Sequence, residues 1–257
     1  MTLVQPHATT DRAARVSAVV ADIDTTPAID NDFYKLWMGG PLSYPAVRVF
    51  AREYLSRTRF TAVMVALSVL NTTDLAARVE CVRNLYSEYG NGNVEKAHLV
   101  LLENFLCDLL SRLAGHEVST AELSLEQPLP STSAFSAGQR ELFSSTDQRV
   151  VQGALLAQEH LAFAMLTRLY EGVRNYKPLW RREDDFHEAC EYFYVHIGEA
   201  EKEHKREAIT SAAAVCRTEG DFAVLVSGYD TFLTLTADYW RGVHRAVAEA
   251  DDDSRVM

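Results

Sequence analysis

The chain has 257 residues, of which 47% are apolar and 24% are charged. Its 36 acidic residues outnumber its 25 basic ones, and the net charge of −11 argues against a nucleic-acid or anionic-membrane surface, which needs a basic face. The longest apolar run, residues 60–70, is about half as long as a membrane span. The first residues lack the order of a signal peptide, and the four cysteines form no CxxC pair. We therefore expect a cytoplasmic protein with reduced thiols and no membrane partner.

Apolar residues recur at the i, i+3, i+4, i+7 spacing of amphipathic helices along most of the chain. Residues 1–30 form a polar lead, with a short helix expected at 11–22. The single helical domain is expected to span 31–249, with a connection at 115–135 that contains Pro128 and Pro130, and a flexible tail at 250–257. Within the domain the pattern predicts helices at 31–38, 44–70, 73–89, 93–114, 137–144, 147–175, 183–217 and 219–249. These elements predict an all-α fold.

Some charged side chains lie on apolar faces of these helices, where burial is costly unless something compensates it. Glu159 and His98 each have apolar residues three and four positions away, so both face the expected core. Glu53 faces at least partly inward, and we expect Arg57, one turn away, to pair with it rather than with a substrate carboxylate. A lone buried Glu or His is more often a hydrogen-bonded core residue than a ligand. The combination is therefore more informative than any one of them.

The Glu-x-x-His spacing occurs twice and places both side chains on one face of a helix. Two such motifs, with one glutamate from each of two further helices, are the ligand set of di-iron carboxylate four-helix bundles. Mixed carboxylate and imidazole ligands suit iron or manganese. A ferritin-like four-helix bundle is therefore one interpretation. Its ligands would be Glu53, Glu95, His98, Glu159, Glu201 and His204.

Three segments support a second interpretation. Residues 84–98 resemble the signature of the haem-oxygenase-like di-iron oxidases, a glutamate, a glycine-rich turn, a histidine and then leucines. Residues 153–159 are similar to the middle helix of that family, which donates one glutamate. Residues 192–204 are similar to its late helix, which carries a histidine, a carboxylate and a second histidine. The resemblance runs in order from about residue 40 to 210 and implies a haem-oxygenase-like seven-helix bundle. The ligands it implies are Glu88, His98, Glu159, His196, Glu201 and His204, with Glu53 as the further carboxylate used by nitrogen-oxygenating members.

The late motif departs from the family pattern. The family has H-x3-D-x2-H, whereas this chain has H-x4-E-x2-H. On an ideal helix His196 and Glu201 would point about 140° apart. A π-bulge at Gly198 would absorb the additional residue and let them converge. The choice between Glu88 and Glu95 stays open, because the two interpretations need different glutamates.

The resemblance implies an enzyme with two iron ions, O2 as co-substrate and an external reductant. Four candidate carboxylates favour an N-oxygenase that oxidises the amine of a small molecule or amino acid toward a hydroxylamine or nitro product, in natural-product biosynthesis. The alternatives are oxidative C–C cleavage, decarboxylation or desaturation of an amino-acid-like substrate, a non-catalytic ferritin-like iron-binding protein, and a metal-free helical protein. The expected partners are the substrate and an electron donor, and a homodimer is compatible with the sequence.

Overall fold

The computed structural model describes the backbone of residues 6–256 and the side chains of 11–198 and 205–255. This part of the chain forms α-helices joined by short turns and contains no β-strand, which confirms the all-α prediction. The helices are α1 (Pro6–Val20), α2 (Asp32–Gly39), α3 (Tyr44–Thr58), α4 (Thr61–Asn71), α5 (Leu75–Glu88), α6 (His98–Ala114), α7 (Thr120–Leu123), α8 (Pro130–Phe143), α9 (Gln148–Val173), α10 (Glu183–Ala189), α11 (Glu191–Ile197), α12 (Glu199–Val215) and α13 (Glu219–Val256). None of the described helices is both long enough and apolar enough to cross a membrane.

Helix α9 is the central element of the bundle. Asp147 caps its N-terminus by accepting a hydrogen bond from the backbone N–H of Arg149 at 3.0 Å. Most side chains along the helix are buried, and α2, α11, α12 and α13 all pack against it. A helix that is apolar around most of its circumference is stable only when it is enclosed by neighbours. The site described below therefore draws on several helices that surround α9.

Two glycines allow α9 and α13 to approach closely. A Cβ added to Gly153 of α9 would lie 2.1 Å from the backbone oxygen of Leu225. A Cβ added to Gly228 of α13 would lie 2.6 Å from the backbone oxygen of Val150. Both contacts are far shorter than van der Waals distance, so each position accepts only a residue without a Cβ.

The two ends of the chain pack more tightly than the sequence predicts. The N-terminal lead contributes Val16, Ile23 and Ile29 to the core, each at most 7% exposed. Helix α13 continues through Val256, beyond the bound of 249 expected for the last helix. Asp251 is 3% exposed and accepts a hydrogen bond from the backbone N–H of Ser43 at 2.7 Å, which anchors this end of α13 to the start of α3.

Other predicted helices also have different bounds in the structure. The segment at 44–70 forms two helices, α3 and α4, which meet at Arg59 and Phe60. Helix α8 begins at Pro130, inside the expected connection, because proline is well suited to the first turn of a helix. The segment at 183–217 forms three helices, α10, α11 and α12.

Candidate metal centre

Three predicted ligands meet in one cluster. Glu88 is the last residue of α5, His98 is the first of α6, and His196 lies near the end of α11. One ligand atom from each lies within 4.8 Å of the others. The Nδ1 atom of His98 is 3.4 Å from Oε2 of Glu88, and the ring centroids of His98 and His196 are 4.3 Å apart. This spacing allows one ion to contact all three side chains.

A tight turn brings Glu88 to His98. The turn uses positive φ at Gly90 (+63°) and at Asn91 (54°), a region that glycine and asparagine enter most readily. A Cβ on Gly90 would lie 2.4 Å from the backbone carbon of Lys96, so the two sides of the turn are in close contact. The glycine-rich segment therefore reverses the chain within a few residues and places the end of α5 beside the start of α6.

A hydrogen bond in the cluster fixes which ring nitrogen of His196 carries the lone pair. The Nδ1 atom of His196 donates to the backbone oxygen of Tyr192 at 2.7 Å, which puts the lone pair of the neutral ring on Nε2. The Nδ1 atom of His98 is buried and has no hydrogen-bond partner among the described residues. The carboxylate of Glu88 lies at the negative end of the α5 dipole, where a cation would stabilise it. The donor set thus fits a metal such as iron.

Glu159 lies in the same cavity as this cluster. It is 7% exposed on α9, and its Oε1 accepts a hydrogen bond from Nδ2 of Asn84 at 2.7 Å. Asn84 was not among the predicted site residues. It precedes Glu88 by about one turn of α5, so the two side chains lie on the same helix face. This i, i+4 spacing is visible in the sequence and was the signal that could have identified Asn84. Its amide orients the carboxylate of Glu159 toward α5.

Glu53 is placed differently from the prediction. Its side chain is fully buried, but Oε1 accepts a hydrogen bond from Nε of Arg52 at 2.6 Å. Its Oε2 accepts from the backbone N–H of Leu129 at 3.0 Å and from the hydroxyl of Thr132. One carboxylate oxygen therefore holds the N-terminus of α8 and the other pairs with Arg52, and Glu53 does not line the cavity that contains Glu88. The structure thus places Glu53 at the start of α8 and apart from the cluster, and its role as a metal ligand stays a prediction.

The structure also distinguishes Glu88 from Glu95. Glu95 is exposed in a short 3₁₀ turn before α6, so it shares no α-helical face with His98. The ferritin-like interpretation needs Glu95 as a ligand, and this placement does not provide it. The cluster instead contains Glu88, as the family resemblance implies.

The remaining two predicted ligands, Glu201 and His204, lie outside the described side chains. The backbone of this region shows how the additional residue of the late motif is accommodated. Helix α11 ends at Ile197, Gly198 is extended (φ −81°, ψ −173°), and α12 begins at Glu199. A break between two helices takes the place of the expected π-bulge. The 140° separation calculated for a continuous helix therefore does not apply here.

The cavity has a volume of about 140 Å³ and combines these polar groups with aromatic and apolar walls. The hydroxyls of Tyr54 and Tyr192 are hydrogen-bonded to each other at 3.0 Å, and the Tyr192 ring lies 4.8 Å from that of His196. Burial raises the pKa of Tyr192 well above its ordinary value, and the negative charge of Glu88 also raises this pKa. Both phenols therefore stay protonated beside the cluster.

Residues 48–236 match the model of a family described as iron-containing redox enzymes. The chain belongs to this family. It is an enzyme of the oxidoreductase class, and its family implies iron.

One protein of similar sequence and two solved structures of similar fold can be compared with this iron-containing redox enzyme. The 4-chloro-allylglycine synthase of Streptantibioticus cattleyicolor is 24% identical over 232 residues, which cover 90% of this chain and 83% of that protein. A TenA homolog from Pseudomonas syringae superposes with a TM-score of 0.72 at 15% identity, covering 91% of this chain and 93% of that one. A domain of unknown function with a heme oxygenase-like fold, from Shewanella denitrificans, superposes with a TM-score of 0.61 at 16% identity, covering 99% of this chain and 95% of that one. The predicted haem-oxygenase-like fold is confirmed.

Proposed function

We propose that this enzyme is an iron- and O2-dependent oxidase that cleaves, decarboxylates or desaturates a small amino-acid-like substrate. The observation that carries the proposal is the convergence of Glu88, His98 and His196 on a single point, with Glu159 in the same cavity. Carboxylate and imidazole ligands inside a partly enclosed cavity are suited to redox chemistry of iron.

Two findings favour carbon chemistry over N-oxygenation. N-oxygenation was favoured because Glu53 could supply a fourth carboxylate, and in the structure Glu53 holds the N-terminus of α8 instead. The relative from S. cattleyicolor is named for 4-chloro-allylglycine, an amino acid with a carbon–carbon double bond. The amino-acid-like substrate is therefore supported by both the relative and the size of the cavity.

In this proposal Glu88, His98, Glu159 and His196 would hold two iron ions together with Glu201 and His204. Iron bound there would supply the redox chemistry with O2, and an external reductant would supply the electrons. The protein's contribution is orientation. Asn84 positions Glu159, and the backbone oxygen of Tyr192 fixes the His196 ring. The apolar walls limit the access of water to the substrate.

The test of iron binding compares two matched substitutions. Glu88→Ala and Glu95→Ala remove the same group seven positions apart, one in the cluster and one on the surface. After anaerobic addition of ferrous iron and desalting, we expect the parent and Glu95→Ala to retain about two iron ions per chain by elemental analysis. We expect Glu88→Ala and His98→Ala to lose at least one. Equal retention by Glu88→Ala and Glu95→Ala would contradict the proposed site.

The test of chemistry uses the iron-loaded protein with O2, a reductant and a panel of small α-amino acids. Mass spectrometry of the products should show alkenes, chain-shortened compounds or release of CO2. Hydroxylamine or nitro products in their place would assign the enzyme to N-oxygenation and refute the proposed reaction. Equal product formation by Glu88→Ala would refute the participation of the cluster.

A further inference from the structure

Arg57 contributes a buried cation to the cavity that contains the metal cluster. It lies on α3, is 8% exposed, and lines the same cavity as Glu88, His98 and His196. Its Nε is buried without a hydrogen-bond partner, and no carboxylate in the described part of the chain lies within ion-pair distance of it. The pairing with Glu53 expected from the sequence is absent because Arg52 occupies that carboxylate.

Aromatic rings hold the guanidinium of Arg57, while its Nε has no hydrogen-bond partner. Its central carbon lies 4.6 Å from the centroid of the Phe135 ring and 5.3 Å from that of Tyr239. Contacts of this kind stabilise the charge and restrict the plane of the group, while its five donors remain at the edge of that plane. The neighbouring Thr58 also lines the cavity, and its hydroxyl lies beside the phenol of Tyr54. The Nε of Arg57, which has no hydrogen-bond partner, thus belongs to a side chain that lines the cavity.

A buried cation without a counter-charge destabilises a fold, so a chain that retains one needs an anion to balance it. The planar fork of a guanidinium matches a carboxylate through two parallel hydrogen bonds. We propose that Arg57 binds the carboxylate of the substrate. This inference rests on the proposed function and narrows its substrate to a small carboxylic acid, bound by α3 at one end while its reacting part faces Glu88 and His98.

The volume of the cavity accommodates a short acid. At about 140 Å³ it is close to the roughly 150 Å³ that accommodates one benzene molecule. A short-chain amino acid fits this volume.

The experiment measures binding to the metal-free protein by calorimetry, so that a carboxylate cannot bind to iron instead. The probes are L-2-aminobutyrate and its amide, which differ only in the carboxylate. We expect the acid to bind roughly 10- to 100-fold more tightly than the amide, as a charge-assisted hydrogen-bond pair allows. Arg57→Gln should abolish this preference, and Arg57→Lys should retain part of it because it keeps the charge but loses the fork.

Arg59→Gln is the matched control. Arg59 also lines the cavity, but it is exposed and its Nη2 donates to the hydroxyl of Ser124 at 2.7 Å. This variant changes the net charge by the same amount and should keep the preference for the acid. Thermal unfolding without ligand provides a second readout, because Arg57→Gln removes an unpaired buried charge and should melt no lower than the parent. A purely structural role of Arg57 would lower the melting temperature instead.

Several results would overturn the inference. These are equal binding of acid and amide by the parent, binding of neither, an undiminished preference in Arg57→Gln, or an equal loss in Arg59→Gln. Iron retention by Arg57→Gln and acid binding by metal-free Glu88→Ala should both match the parent. These two measurements separate the carboxylate anchor from the iron site, so that either proposal can fail alone.

Discussion

The close approach of α9 and α13 predicts a large effect for Gly153→Ala. The new Cβ would lie 2.1 Å from the backbone oxygen of Leu225 and 2.9 Å from the backbone nitrogen of Tyr229. The first distance is about 1.3 Å below the 3.4 Å of an ordinary contact. Because both neighbours are backbone atoms, no change of rotamer relieves the overlap, and the two helices must separate.

The expected cost follows from overpacking. Added methyl groups in packed cores destabilise by about 1–3 kcal/mol, and the backbone contact places this site near the upper end. The higher helix propensity of alanine returns up to about 1 kcal/mol. A net loss of about 2 kcal/mol lowers the melting temperature by roughly 4–8 °C in a chain of this size.

Thermal unfolding followed by circular dichroism measures this shift. The control is Gly39→Ala in α2, where an added Cβ meets no atom within 4 Å. That variant should melt at or slightly above the temperature of the parent, because it gains helix propensity without overlap. Equal melting temperatures for the two variants would refute the packing argument.

Two further predictions concern the buried groups outside the metal cluster. Glu53→Ala should lower the free energy of unfolding by about 3 kcal/mol in denaturant titrations, because the Arg52 charge and the Leu129 N–H lose their acceptor, while iron content stays at the parent level. A loss of iron at unchanged stability would restore Glu53 as a ligand. Burial raises the pKa of the Cys190 thiol to about 12 and that of Cys216 to about 11. Because alkylation requires the thiolate, peptide mass spectrometry should find both thiols unmodified by iodoacetamide at pH 8 in the native protein and modified in denaturant. Above pH 8, the rate of modification of the native thiols should increase about tenfold per pH unit.

Helical periodicity in the sequence was sufficient to predict the fold class and the inward direction of His98 and Glu159. Periodicity reports which face of a helix is buried, and it does not report which neighbour that face meets. Glu53 illustrates the difference, because it is as buried as predicted but faces the start of α8. The burial of Glu53 could be predicted from the apolar pattern of its own helix, whereas its hydrogen-bond partners depend on how the helices pack together.

The family resemblance predicted a contact that helical spacing in the sequence could not predict. Glu88 and His98 are separated by a turn with positive φ, so no helical repeat relates them, and only the glycine-rich signature connects them. The break at Gly198 could not be predicted because a glycine permits a bulge, a kink or a helix end equally well. Arg57 was assigned to the nearest carboxylate along its helix, and the structure shows that Arg52 reaches it first.

The late position of helix α13 in the chain determines when the site can be enclosed during synthesis. It supplies Phe232 to the cavity wall and the Tyr239 ring to Arg57, and it is translated last among the described helices. Glu88 and His98 emerge from the ribosome long before these residues exist. A nascent chain therefore presents the carboxylate and imidazole to water before it can enclose them. Iron taken up at that stage would be exposed to solvent and to cellular chelators, so stable loading belongs to the finished chain.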